Sequence, residues 1–97
     1  MASLRKLKRE IDYLVSEVIS DCYACLAINS KCDKGVVFGI IEDAVELRNN
    51  LFDKANRPAE KHNPHLVKKH YRQLIEEMFD GVDKLFVRLS EVCKDAK

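Results

Sequence analysis

The sequence of 97 residues lacks several features that mark other classes of protein. It has no apolar run close to the ~20 residues that a membrane-spanning helix requires. No stretch alternates apolar and polar residues with a period of two, so we predict no sheet. The basic residues near the N-terminus are not followed by the apolar segment of a signal peptide. We therefore expect a cytoplasmic protein without membrane insertion.

Motifs that carry chemistry are also lacking. The sequence shows no glycine-rich phosphate loop, no Ser/His/Asp arrangement and no acidic metal cluster. A helical histidine pair for zinc needs i, i+4 spacing, which none of the three histidines has: His62, His65 and His70. We therefore predict no enzymatic activity, no cofactor and no metal.

The composition is that of one folded domain spanning residues 1–97. Hydrophobic residues make up 46% of the chain and charged residues 34%, with 17 basic and 16 acidic side chains. This is ordinary globular composition rather than that of a disordered tail. The near-neutral total argues against a protein that holds nucleic acid or membrane through bulk charge alone.

The longest helical period runs from residue 63 to 94 and determines the rest of the fold. Asn63 followed by Pro64 is typical of an N-cap and a first helical position. At 1.5 Å per residue this helix would be roughly 46 Å long, so its apolar stripe requires other long helices as cover. The stripe consists of Val67, Tyr71, Leu74, Ile75, Met78, Val82, Leu85, Phe86, Leu89, Val92 and Cys93.

Two further helices are predicted, over about residues 3–30 and 35–56. Ser3 can cap the first and Asp33 the second. Short links favour antiparallel neighbours, so we expect an all-α, up-down-up three-helix bundle. Gly81 in the third helix is either a weak point of about 1 kcal/mol relative to alanine or a place of close helix approach.

The second helix carries more apolar surface than an internal core needs. Its apolar residues cover roughly 200° of the helical wheel, whereas a stripe somewhat above ~100° is enough in a bundle. The surplus strip predicts a homodimer through this helix, unless the third helix covers the strip within one chain. Its members are Phe38, Ile41, Val45 and Phe52.

Charge is unevenly placed along the predicted bundle. One end collects ten basic and four acidic residues, leaving seven basic and twelve acidic residues elsewhere. A polyanionic partner, such as nucleic acid, could bind there, although solubility alone also accounts for the pattern. The candidate anion-binding residues are Arg5, Lys6, Lys8, Arg9, Lys68, Lys69 and Arg72.

The four cysteines are expected to meet at the opposite pole. Cys22 and Cys25 have C-x-x-C spacing, but they lie near a helix C-terminus, where the dipole disfavours a thiolate. Tetrahedral zinc remains the alternative to simple packing. We predict no metal, with Cys22, Cys25 and Cys93 buried and reduced, and Cys32 the most accessible thiol.

Together these patterns favour a small intracellular protein-interaction or assembly module without catalytic activity. The alternative is a nucleic-acid or other polyanion-binding accessory protein that uses the basic end. An enzyme or a metal protein is the third interpretation.

Overall fold

The computed structural model describes residues 4–29, 31–57 and 63–95. These residues form three helices: α1 (Leu4–Ile28), α2 (Lys34–Asn56) and α3 (Pro64–Asp95). Each helix contacts the other two, so the predicted all-α three-helix bundle is confirmed. The bundle is elongated, with extents of 53 × 18 × 18 Å.

Two of the predicted helix caps are confirmed. The Asp33 carboxylate accepts a hydrogen bond from the backbone N–H of Val36 at 3.2 Å. The Asn63 side-chain oxygen accepts from the backbone N–H groups of His65 and Leu66 at 3.0 and 3.3 Å. These bonds satisfy donors that the first turn of a helix leaves unpaired. The predicted cap Ser3 lies outside the described residues.

The core runs the full length of the bundle and is apolar. Among the described residues no buried side chain is polar or charged. All three helices contribute to it at helical spacing, as the sequence pattern predicts. Its members are Leu7, Ile11, Val15, Val18, Cys22, Cys25, Cys32, Val37, Ile40, Ala44, Leu51, Ala55, Leu74, Met78, Val82, Leu85 and Leu89.

α2 packs closely on both of its neighbours. Lys54 donates to Glu77 at 2.9 Å and Arg88 to Asp43 at 2.6 Å, which ties α2 to α3. His70 Nε2 lies 2.8 Å from the carbonyl oxygen of Lys54, in the last turn of α2. The bond gives that carbonyl a side-chain partner at a helix end, where the last four carbonyls lack partners within the helix.

Gly81 lies where α2 comes close to α3. A Cβ atom at this position would lie 2.8 Å from a terminal methyl carbon of Leu47. The structure therefore favours the second of the two interpretations of this glycine, in which the missing side chain lets a neighbouring helix come near.

Candidate interaction surfaces

The structure divides the predicted strip on α2 into an exposed pair and a covered pair. Phe38 and Val45 are 50% and 43% exposed. Ile41 and Phe52 are half-buried and pack against the core of their own chain. The apolar area that a partner could bury through α2 is therefore smaller than the sequence pattern suggests.

Phe52 is covered by cations at the contact between α1 and α2. The Arg48 guanidinium carbon lies 4.2 Å from the centre of the Phe52 ring, and Lys8 Nζ lies 5.7 Å from it. Arg48 also forms an ion pair with Asp12 of α1 at 2.5 Å. Arg48 thus contacts an aromatic ring on its own helix, α2, and a carboxylate on α1, and its side chain covers the contact between these two helices.

The side between α1 and α3 is more open, and we call it the α1–α3 groove. These two helices contact each other less than either contacts α2. The groove contains both sulfur atoms of a disulfide, between Cys25 and Cys93. It is lined by Asp21, Ala24, Cys25, Ile28 and Asn29 of α1 and by Phe86, Leu89, Ser90 and Cys93 of α3.

Large apolar side chains are exposed on both helices that border this groove. Ile28 is 86% exposed and Phe79 is 57% exposed. Phe79, Phe86 and Cys93 recur every seven residues, so they follow one edge of α3. A second depression, on the outer face of α3, includes Ile75 and Phe79.

The residues that line the α1–α3 groove and the depression on α3 include acids and no lysine or arginine. Asp21 lines the groove itself, and Asp80 and Asp83 lie beside Phe79 in the depression on α3. Glu17, one helical turn before Asp21, is exposed on α1. No lysine or arginine occurs between residues 10 and 30 or between residues 73 and 83. The nearest cation along α3 is Lys84, which pairs with Asp80 at 3.2 Å, as their i, i+4 spacing predicts.

The basic residues at the other end are divided between α1 and α3. Arg5, Lys6 and Arg9 line a shallow groove on α1 together with Glu10. Lys8 is half-buried and lies over Phe52 instead. The three basic residues of α3 are exposed near its start, outside that groove: Lys68, Lys69 and Arg72.

The cysteines do meet at one pole, but three predictions about them are wrong. Cys25 and Cys93 are not reduced: they are bonded, because the parallel helices α1 and α3 bring their Cα atoms to 6.4 Å. Cys93 is half-buried rather than buried. Cys32 is not the accessible thiol, since it is only 7% exposed.

The burial of Cys32 has a local cause. Its backbone N–H donates to the carbonyl of Asn29 at 3.3 Å, which turns the link back toward α1. Its thiol then points to the carbonyl of Cys25 at 3.9 Å. Cys22 is free and fully buried, as predicted, and burial together with the nearby Asp21 carboxylate raises the pKa of its thiol. A raised pKa keeps the thiol protonated and unreactive.

Within the described residues, no group of three or more histidine, cysteine or acidic side chains has a metal-binding arrangement. His65 is exposed in the first turn of α3, and His70 contacts α2 as described above. His62 lies outside the described residues. None of the described helices combines the length and the apolar character that crossing a bilayer would need.

Comparison with protein-family models, with curated proteins and with solved structures finds no match to this chain. Its function is therefore argued from its own surfaces. Three surfaces are candidates for a functional site: the exposed pair on α2, the basic end and the α1–α3 groove.

Sequence reasoning missed the α1–α3 groove, although part of its signal was present. Phe79 and Ile28 were assigned to no apolar stripe, and the absence of cations over residues 10–30 and 73–83 was not used. What the sequence could not supply is that these stretches lie side by side. That depends on how the three helices pack.

Proposed function

We propose that this chain is a small protein-interaction module that forms a homodimer through α2 and has no catalytic activity of its own. The exposed pair Phe38 and Val45 carries this proposal. The two residues are seven apart, so they lie on one face of α2. Ile41 and Phe52, partly covered within the chain, border that face and enlarge its apolar area.

A two-fold symmetric dimer suits this surface, because in such a dimer the same face of α2 would meet itself. Exposed aromatic and aliphatic side chains in a row are typical of association surfaces. Neither Phe38 nor Val45 belongs to the hydrophobic core. Their substitution should therefore change association more than folding.

Light scattering on the purified protein at tens of micromolar tests the dimer. We expect twice the mass of one chain, and the mass of a single chain for the double variant Phe38→Asp/Val45→Asp. Tyr13→Asp serves as the matched control, because Tyr13 is an exposed aromatic residue on α1. A monomeric mass for the unmodified protein would exclude the dimer.

Polyanion binding at the basic end is the second candidate function. The observation that favours it is the groove shared by Arg5, Lys6 and Arg9. Reversing Arg5 and Arg9 to glutamate should remove salt-dependent retention on a heparin column. Reversing Lys31 and Lys34, exposed cations near the opposite pole, should leave retention unchanged. Equal retention of both variants would eliminate this function.

The cytoplasmic localisation stays a prediction, and the Cys25–Cys93 disulfide stands against it. Reducing compartments keep most protein thiols free. Thiol counting in protein taken from cells under acid quench tests the point. Two free thiols, those of Cys22 and Cys32, would indicate an oxidising compartment. Labelling of Cys25 and Cys93 as well would support the cytoplasm.

A further inference from the structure

We propose that the dimer face includes α1 as well as α2, and that Tyr23 of α1 is its central aromatic contact with a second copy of this chain. The inference rests on the proposed homodimer and adds to it a second helix and a named anchor residue. In such a dimer the α1–α2 pair of one copy packs on the α1–α2 pair of the other, and α3 stays outside the interface.

Two contacts near the start of α1 establish which residues of α1 and α2 lie beside each other. Lys8 of α1 lies over the ring of Phe52, and Asp12 of α1 pairs with Arg48. In both pairs the two residue numbers total 60, as expected for antiparallel neighbours that rise equally per residue. At the other end, the short link of residues 29–33 joins the same two helices. The pairing therefore continues along their shared length.

This pairing places Tyr23 beside Phe38. Tyr23 is eleven residues after Asp12, and Phe38 is ten residues before Arg48, so both lie roughly 16 Å from that ion pair. Eleven residues are about three turns, so Tyr23 and Asp12 are on the same side of α1. Phe38 is about four turns before Phe52, so it is on the side of α2 toward α1. Both aromatic side chains are exposed, by 57% and 50%.

Apolar side chains surround this aromatic pair on both helices. Ile19 and Leu26 lie about three and five turns after Lys8, which places them on the same side of α1. They are half-buried and pack against the core, as does Ile41 of α2. Val45 is 43% exposed. We call this set the α1–α2 face, and its members are Ile19, Tyr23, Leu26, Phe38, Ile41 and Val45.

Including α1 nearly doubles the area that a second copy could cover. A helix with its side chains is about 10 Å wide, whereas the bundle is 18 Å across. Over the roughly 21 Å from Phe38 to Phe52, α2 alone presents about 210 Å² in projection and the two helices together about 380 Å². The accessible area exceeds the projection because side chains make the surface uneven. The two-helix face thus comes closer to the ~800 Å² per partner of a standard interface.

Charge placement favours a second copy as the occupant. A two-fold axis brings residues near it close to their own equivalents, so a charge there would repel itself. The six residues of the α1–α2 face are uncharged. On α1, Asp21 lines the α1–α3 groove instead, and Glu17 is about 140° around the helix from Asp12. On α2, Asp43 is directed to α3, where it pairs with Arg88.

The two remaining acids in this part of α2 lie at the rim or beyond it. Measured around α2 from the direction of Phe52, Glu42 is at about 80° and Glu46 at about 120°. The α2 members of the α1–α2 face lie within about 40° of that direction. An apolar centre with a charged rim is the usual arrangement of association surfaces.

Light scattering at tens of micromolar tests the anchor through matched variants. Tyr23→Asp should give the mass of a single chain. Tyr13→Asp should leave the dimer intact, since Tyr13 is exposed on α1 but lies about 80° around the helix and 15 Å along it from Tyr23. Phe79→Asp, an equally exposed aromatic residue on α3, should also leave it intact. Equal effects of Tyr23→Asp and either control would overturn the proposal.

A conservative variant and a folding control complete this comparison. Tyr23→Phe should keep the dimer, because the ring supplies the buried area. Circular dichroism of each variant confirms that it is folded. Loss of the dimer in Tyr23→Phe would overturn the role of the ring.

Tryptophan fluorescence measures the burial of this position directly. The chain contains no tryptophan, so a single introduced indole reports its own surroundings. In Tyr23→Trp, acrylamide quenching should fall at least about twofold as the protein concentration rises from about 1 to about 100 μM, and the emission should shift to shorter wavelength. In Tyr13→Trp neither should change. Quenching of Tyr23→Trp that is independent of concentration, in a protein that dimerises over this range, would overturn the proposal.

The proposed α2 dimer and the role of α1 can fail separately. A dimer that Phe38→Asp/Val45→Asp dissociates and Tyr23→Asp does not would keep the α2 dimer and overturn the role of α1. A monomeric mass for the unmodified protein would overturn both. Dissociation by each of these variants, with both controls dimeric, would support both.

Discussion

The two sides of α1 differ in how they are closed. Toward α2, an arginine pairs with Asp12 and covers Phe52, so opposite charges and an aromatic ring complete the contact. Toward α3, a depression between the two helices stays open, and direct ties are found at one pole: the Cys25–Cys93 disulfide and a 3.2 Å hydrogen bond from the Asn29 side chain to the Cys93 carbonyl.

The difference shows how charge placement selects which faces of a bundle stay available. All three helices have apolar stripes, so hydrophobic burial alone would close every side equally. Where opposite charges face each other, the outer edges of the contact are closed by ion pairs. Toward α3, none of the ion pairs between described residues joins the two helices, and apolar side chains such as Ile28 remain exposed. Substitutions on the two sides test this difference, and they are given in order of decreasing expected effect.

Removing the disulfide should have the largest effect, because it is the covalent tie across the open side. The bond spans 68 residues of sequence, and a loop of that length corresponds to about 4 kcal/mol of unfolding free energy. Cys25→Ser/Cys93→Ser should lower the urea midpoint accordingly. Reductant should produce the same shift in the unmodified protein and none in the variant. A urea midpoint of the unmodified protein that does not change with reductant would contradict the prediction.

Breaking the closed side should cost less. Arg48→Ala removes the ion pair with Asp12 and the cation over Phe52, which together stabilise the fold by about 1 kcal/mol. Lys84→Ala, which removes an exposed pair within α3, should cost below ~0.5 kcal/mol and serves as control. Chemical denaturation compares the two. A double-mutant cycle with Asp12→Ala should show coupling to Arg48, and its absence would mean that the two side chains act independently.

Two glycines test how closely α2 approaches its other neighbour, α3. Gly39 has open space around it, so Gly39→Ala should raise the free energy of unfolding by about 1 kcal/mol through helix propensity. Gly81→Ala should raise it less, because Leu47 must move to admit the new methyl group. Thermal unfolding of the two variants measures the difference. An equal gain at both positions would show that α2 and α3 are not in close contact at Gly81.

The smallest effect should come from adding a cation to the open side. Asp21→Lys replaces the carboxylate that lines the groove with a cation in the C-terminal half of α1, where the helix dipole favours positive charge, so it should stabilise the fold by a few tenths of a kcal/mol at low salt and less at high salt. Glu42→Lys, on the exposed face of α2, provides the comparison. If both substitutions shift the melting temperature equally, the charge at residue 21 has no effect that is specific to the groove.

Much of the bundle could be predicted because its signals are local. Asp33, Asn63 and Pro64 mark helix starts through bonds that span two or three residues. The apolar periods identify core residues from each helix because burial follows the 3.6-residue repeat. The exposure of the apolar strip on α2 was harder to predict. Whether Phe52 is exposed depends on Arg48 and Lys8, and the position of Lys8 on α1 is not apparent from the sequence of α2.

The cysteines show most clearly where local information ends. Their meeting at one pole follows from chain direction alone, since α1 and α3 run parallel and α2 returns between them. Whether Cys25 bonds to Cys93, and whether Cys32 lies in the core, depends on distances of a few ångströms between separate segments.

The sequence pattern alone indicates the number of helices, their starts, their buried faces and the uneven charge. Each of these depends on residues within a few positions of one another. The tertiary structure decided which faces meet. It paired Arg48 with Asp12, brought Leu47 against Gly81 and left a groove between α1 and α3 that Cys25 and Cys93 line together. Those contacts join residues far apart in the chain. They depend on how each of the three long helices is rotated about its axis so that the bundle buries the largest apolar area.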